Sequence, residues 1–128
     1  MAKQRFHTPG IDAHVMGKRV EAWLKSQFFE TEVASEADRV LIQARKSGFP
    51  RSFVAANRAL NVLIEGSEGD VSVQVTTGHW LENLATVGIV AYLTGPIGLA
   101  ATTILAGLTL LGERELWDYI REQAARGA

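Results

Sequence analysis

From Asn83 to Gly112 the chain runs for roughly thirty residues without one Asp, Glu, Lys, Arg or His. No other stretch narrows the possible folds so far. A water-soluble helix keeps a charged or polar side, and this run has no charged side. A membrane helix needs about 20 apolar residues in succession, whereas a buried helix of a soluble core is usually shorter than about 14. The run is therefore read as membrane-embedded.

Pro96 lies near its middle, within Thr94-Gly95-Pro96-Ile97-Gly98. Proline removes a backbone donor and disfavours helix at the residue before it, and the flanking glycines add freedom. Two geometries follow. One is a transmembrane helix kinked at Pro96. The other is a re-entrant helical hairpin whose arms, about 12 and 16 residues long, are each too short to span. The single kinked span is preferred, because proline is readily accommodated in spanning helices. Gly88, Ala91, Gly95, Gly98 and Thr102 recur at spacings of three and four. Such a small-residue stripe lets helix backbones approach closely, so it is read as the packing face toward a second copy or another membrane subunit. Trp80 and Trp117 bracket the run and Tyr119 joins them, a pattern expected of interfacial anchors.

Before the run, Ile11, Val15, Met16, Val20, Trp23 and Leu24 recur at helical spacing, which predicts a helix from about Asp12 to Gln27 with Asp12 as its cap. The period then changes to two. Phe29, Thr31 and Val33, a turn over Ser35-Glu36-Ala37-Asp38, and Val40, Ile42 and Ala44 predict one hairpin. Leu60, Val62 and Ile64, a glycine-rich turn, and Val71, Val73 and Val75 predict another. The expected fold is α+β: an N-terminal helix on one face of a four-stranded antiparallel sheet. The other face, with Gln43, Arg45, Asn61, Ser72, Gln74 and Thr76, is left to water. After the run, Leu116, Trp117, Ile120 and Ala124 form one stripe of a short amphipathic helix. The expected organisation is a small α+β domain over 1–82, a membrane-embedded helical segment over 83–112 and an interfacial amphipathic helix over 113–128.

Charge and composition bound the function. With 13 basic and 14 acidic residues, the chain lacks the positive balance of a nucleic-acid binder. It has no cysteine, which excludes disulfides, cysteine-ligated zinc and a thiol nucleophile. The first twenty residues hold no apolar core of a secretory signal, so the N-terminal domain is expected in the cytoplasm. The arginines that follow the run, Arg114, Arg121 and Arg126, favour the same side for the C-terminus, as the re-entrant hairpin would have it, but Glu113, Glu115 and Asp118 sit among them and the single span keeps its preference.

Arg39, Arg45, Lys46, Arg51 and Arg58 cluster in sequence, with no acidic residue from Leu41 through Ile64. Near a membrane each such residue attracts anionic headgroups by about 1 kcal/mol. Arg45, Lys46, Arg51 and Arg58 are accordingly the candidate contacts to headgroups or an acidic partner. His7, Asp12 and His14, with His79, are the one grouping to weigh as metal ligands, but they match no standard spacing and lack a fourth ligand. The chain has no G-x-S-x-G and no phosphate loop, and the run offers no ionisable group to a proton relay. No catalytic residue, metal or cofactor is assigned, and an enzyme is not expected.

The segments Ile42–Lys46, Ala59–Gly66 and Val71–Val75, followed by Gly78, Trp80 and Pro96, resemble in their order small prokaryotic membrane-anchored α+β proteins of unassigned function. The likeness covers most of the chain through short and common pieces. It implies a membrane-tethered α+β domain and transfers no catalytic residue.

The expected function is that of a non-enzymatic, membrane-anchored protein acting through assembly, as an oligomeric scaffold or an accessory subunit of a membrane complex. Its partners would be lipids and either further copies or other subunits. One alternative is a pore-forming or membrane-disrupting effector that turns the threonines of the run toward a lumen. A second is a module that binds anionic lipid headgroups.

Overall fold

The computed structural model describes residues 2–46, 58–66, 69–81, 83–89 and 113–127. Along the chain the elements are β1 (Ala2–Thr8), α1 (Ala13–Ser26), β2 (Phe29–Glu36), β3 (Arg39–Lys46), β4 (Arg58–Glu65), β5 (Gly69–His79), α2 (Leu84–Val87) and α3 (Glu113–Arg126). The strands form one five-stranded antiparallel sheet in the order β1-β5-β4-β3-β2. The meander runs from β2 to β5, and β1 closes against β5. Four antiparallel steps separate β1 from β2, so the two edge strands run in the same direction. Strands that run the same way cannot be joined by a tight turn, and α1 supplies the crossing from edge to edge.

α1 begins where Asp12 accepts a hydrogen bond from Val15 N at 2.9 Å, an N-terminal cap in extended conformation. It ends at Gln27, followed by Phe28 with φ of 67°, the left-handed stop that glycine usually provides. Two hairpin turns gather at the start of α1. Gly66 donates to Asp38 O and accepts from Ala13 N, at 2.9 and 3.3 Å. Its φ is +136°, and a Cβ there would collide with Asp70 O, so only glycine closes this turn.

Period-two alternation lays Val33, Ile42, Val62 and Val75 in one row across four strands, with Val40, Ile64 and Val73 in the next. Met16, Val20 and Leu24 of α1 cover these rows, and so do Leu116, Trp117 and Ile120 of α3, in a single buried cluster. The two helices are antiparallel. Trp23 stacks on Tyr119 at 5.4 Å, while Arg19 donates to Gln123 Oε1 and to Gly127 O.

Two parts of the expected fold are corrected. The sheet has five strands, not four, because Ala2–Thr8 is a strand. That segment has a single large apolar residue, Phe6, so it shows no period; an edge strand needs only Phe6 against the core and Thr8 buried beside it. The second correction concerns the transmembrane helix: no helix of the described residues is long and apolar enough to cross a membrane. Helix starts at Leu84 and stops after four residues, since Gly88, at φ 88° and ψ 164°, leaves helical space. Residues 90–112, with Ala91, Gly95, Pro96, Gly98 and Thr102, lie outside the described residues.

If α3 belongs to the central core, cutting its stripe must weaken the whole domain. Ile120→Ala is expected to lower the unfolding free energy by about 2–5 kcal/mol. Urea denaturation followed in parallel by tryptophan fluorescence and circular dichroism checks this, and a shift confined to fluorescence would count against it.

Candidate functional site

The sheet face opposite α1 is where the chain departs most from a plain sandwich of helices and strands. Ala34 and Leu41 on this face form a second buried cluster with Leu84 and Ile89, flanked by Leu63 and Leu81. The register puts Ala34, Leu41 and Leu63 side by side on β2, β3 and β4. A strap of chain, Leu81 with Asn83 through Ile89, therefore lies along an apolar row. Gln43 and Asn61, paired in register on the same face and expected in water, are buried.

Two side chains fasten the strap by its backbone. Gln43 Oε1 accepts from Leu81 N at 3.0 Å, and Glu36 Oε2 accepts from Ile89 N at 3.3 Å. The other oxygen of Glu36 takes Arg39 through Nε and Nη2, at 3.1 and 3.0 Å. Glu36 sits at the end of β2 and Arg39 at the start of β3, so the β2–β3 turn brings them together. Two charged donors on one oxygen hold that oxygen in place, and the Ile89 amide takes the other.

Trp80 lies just ahead of the strap. The Arg45 guanidinium carbon stands 4.2 Å from the centroid of its ring, and Arg45 also forms a two-point pair with Glu30 at 2.9 and 3.2 Å. Among the described residues, Trp80 Nε1 is buried without a hydrogen-bond partner. Of the other basic candidates, Lys46 ends β3 opposite Phe29 and Arg58 starts β4 opposite His79 in register. Arg51 lies outside the described residues.

Trp117 is 5 % exposed within the main core, with Arg121 above its ring. Tyr119 stacks on Trp23, and its hydroxyl donates to Arg19 O at 3.1 Å. Gly88 is the residue where the strap turns, ahead of Ile89. The histidines are dispersed. His7 approaches Asp70 at 3.5 Å on an exposed edge, and His14 donates to Ala37 O at 3.1 Å. Among the described residues no three His, Cys, Asp or Glu side chains stand close enough together to hold a metal ion.

Sequence reading passed over Glu36 and Gln43. Glu36 reads as one residue of a polar turn and Gln43 as a water-facing strand residue, and their partners lie 53 and 38 residues further along the chain. Gly88 stands out in the sequence by its size, while its conformation, φ 88° and ψ 164°, leaves no mark in the periodicity. Comparison with family models, curated proteins and solved structures finds no match.

Tyr119 offers a test of how firmly the ends of the chain are joined. Burial raises its hydroxyl above the usual tyrosine value of 10.0, against the opposing pull of Arg19 and Arg126. In the unfolded chain it ionises first as pH rises, so the unfolded state then holds fewer protons and stability falls above about pH 10. Tyr119→Phe is expected to cost about 1 kcal/mol at neutral pH through the lost hydrogen bond. The gap between wild type and variant should narrow above about pH 10. Urea titrations at neutral and alkaline pH check both, and a gap independent of pH would show the hydroxyl to be solvated.

Proposed function

We propose that this protein is a non-enzymatic association module, anchored at a membrane through its uncharged segment and working as an oligomeric scaffold or an accessory subunit of a membrane complex. One observation carries the reading. The chain enters the uncharged segment from Ile89, packed on one face of the sheet, and leaves it into α3, packed on the other. Both ends of the 90–112 stretch are thus held by one folded unit. Crossing a membrane once would carry α3 away from α1, at the loss of Leu116, Trp117 and Ile120 from the shared core.

This arrangement suits docking from one side, with the α+β domain and α3 in the same compartment, the cytoplasm. Twenty-three residues without charge, from Val90 to Gly112, are then the part of the chain whose composition suits lipid or the apolar face of a membrane subunit. The native chain lacks cysteine, so single thiols can report on each end.

Asn83→Cys and Glu115→Cys place thiols at exposed positions on either side of the segment. In sealed membrane vesicles we expect a membrane-impermeant maleimide to label both from the same side, and the protein to stay in the pellet after carbonate washing. Labelling from opposite sides would contradict the held-ends geometry. Complete release by carbonate would remove the anchoring.

A further inference from the structure

The strap, Leu81 with Asn83 through Ile89, is held by side chains where the neighbouring strands are held by backbone ladders. Asn83, Ala85, Thr86 and Val87 are exposed, while Leu84 and Ile89 are fully buried on the sheet. A four-residue helix has no stability of its own, so this one depends on tertiary contacts, which among the described residues are those of Leu84 and Ile89 on the sheet. The strap adds no strand to the sheet; its backbone is tied down by the side chains of Gln43 and Glu36. Segments with few buried contacts belong to the low end of a protein's range of local stabilities.

We propose that the strap is a releasable latch, with Gly88 as its hinge and the Glu36 carboxylate as its catch, and that its release sets how far the following segment reaches from the sheet. The latch stands on its own geometry; the consequence for reach rests on the docking function proposed above.

Gly88 holds φ 88° and ψ 164°, a region open essentially to glycine alone, and this turn directs the Ile89 amide at Glu36. A Cβ at Gly88 would lie 3.7 Å from Glu36 Oε2, so space is available there and the constraint is the backbone angle. Arg39 holds the far oxygen of the same carboxylate, which leaves Oε2 aimed at the strap. Hinge and catch are thus adjacent, and the second buried cluster closes beneath them.

Opening the latch leaves the main core untouched, because Leu84 and Ile89 belong only to the second cluster. It frees the chain from Leu81 to Ile89, which in extended form adds up to about 30 Å of tether. The far end of the uncharged segment stays fixed, since α3 is part of the main core. The device therefore has one end that releases and one that does not.

The test is hydrogen exchange on the full chain without lipid, comparing wild type with Glu36→Ala and Gly88→Ala. Amides of the strap are expected to exchange about tenfold faster in both variants, while those of α1 and β4 keep their wild-type rates. Glu36→Gln, which keeps an acceptor oxygen, should give a smaller increase. Unchanged strap exchange in either alanine variant, or equal acceleration in β4, would overturn the latch. A second arm measures flotation with vesicles of phosphatidylethanolamine and phosphatidylglycerol. The released variants should float at lower lipid concentration than wild type. Equal lipid dependence would refute the coupling to reach. Absence of flotation for all proteins would remove the docking reading, with the latch still decided by exchange.

Discussion

Everything in this molecule follows from having to cover one sheet face twice. β1 and β2 run the same way at opposite edges, so α1 must cross between them. A single helix leaves part of a five-stranded face bare, and α3 fills the remainder from the other end of the chain. Leu116, Trp117 and Ile120 then join the cluster that α1 shares with the sheet, alongside α1 and β1. Loss of that contact would open the domain to water on the side that holds it together. The chain after Gly112 inherits this constraint, because it is α3 itself.

The second face obeys a different rule. Among the described residues Leu81, Leu84 and Ile89 cover its apolar row, and backbone donors of the covering chain must still be satisfied. Gln43 and Glu36 do this from within the sheet. A buried amide left without an acceptor costs about 1–3 kcal/mol, comparable with what each leucine gains by burial. Side-chain acceptors are therefore as much a part of the strap's attachment as its apolar residues are. Such an attachment can be undone locally, unlike the ladder of β3, β4 and β5.

Much of the first face was legible in the sequence. The spacing of Met16, Val20 and Leu24 marks α1, Asp12 marks its start, and alternating valines mark the two hairpins; each is a local pattern that burial on one side imposes. β1 escaped because edge strands bury one row through one or two residues, and Phe6 with Thr8 makes no period. The uncharged run was legible as composition but not as conformation. Hydropathy over Asn83–Gly112 averages away the break at Gly88, where backbone angle ends the helix after a single turn. The stripe of α3 was plain, yet an amphipathic stripe is the same whether it meets lipid or a protein core. Only the placement of Trp23 and Arg19 opposite it identifies the partner.

Charge read along the chain has the same weakness. The absence of acidic residues between Leu41 and Ile64 makes that stretch look basic. Antiparallel pairing, however, sets each residue of β3 beside one of β2, and β2 is rich in glutamate. Arg45 faces Glu30 and Arg39 faces Glu36 in register, each in a two-point pair. Such pairs contribute little to stability when exposed, about 0–1 kcal/mol. Their larger effect is to neutralise the field that an anionic surface would feel. Attraction of about 1 kcal/mol per basic residue presumes an unpaired charge near that surface. The Arg45 guanidinium is engaged by the Glu30 carboxylate and by the ring of Trp80. A basic patch has to be counted across strands before it is counted along them.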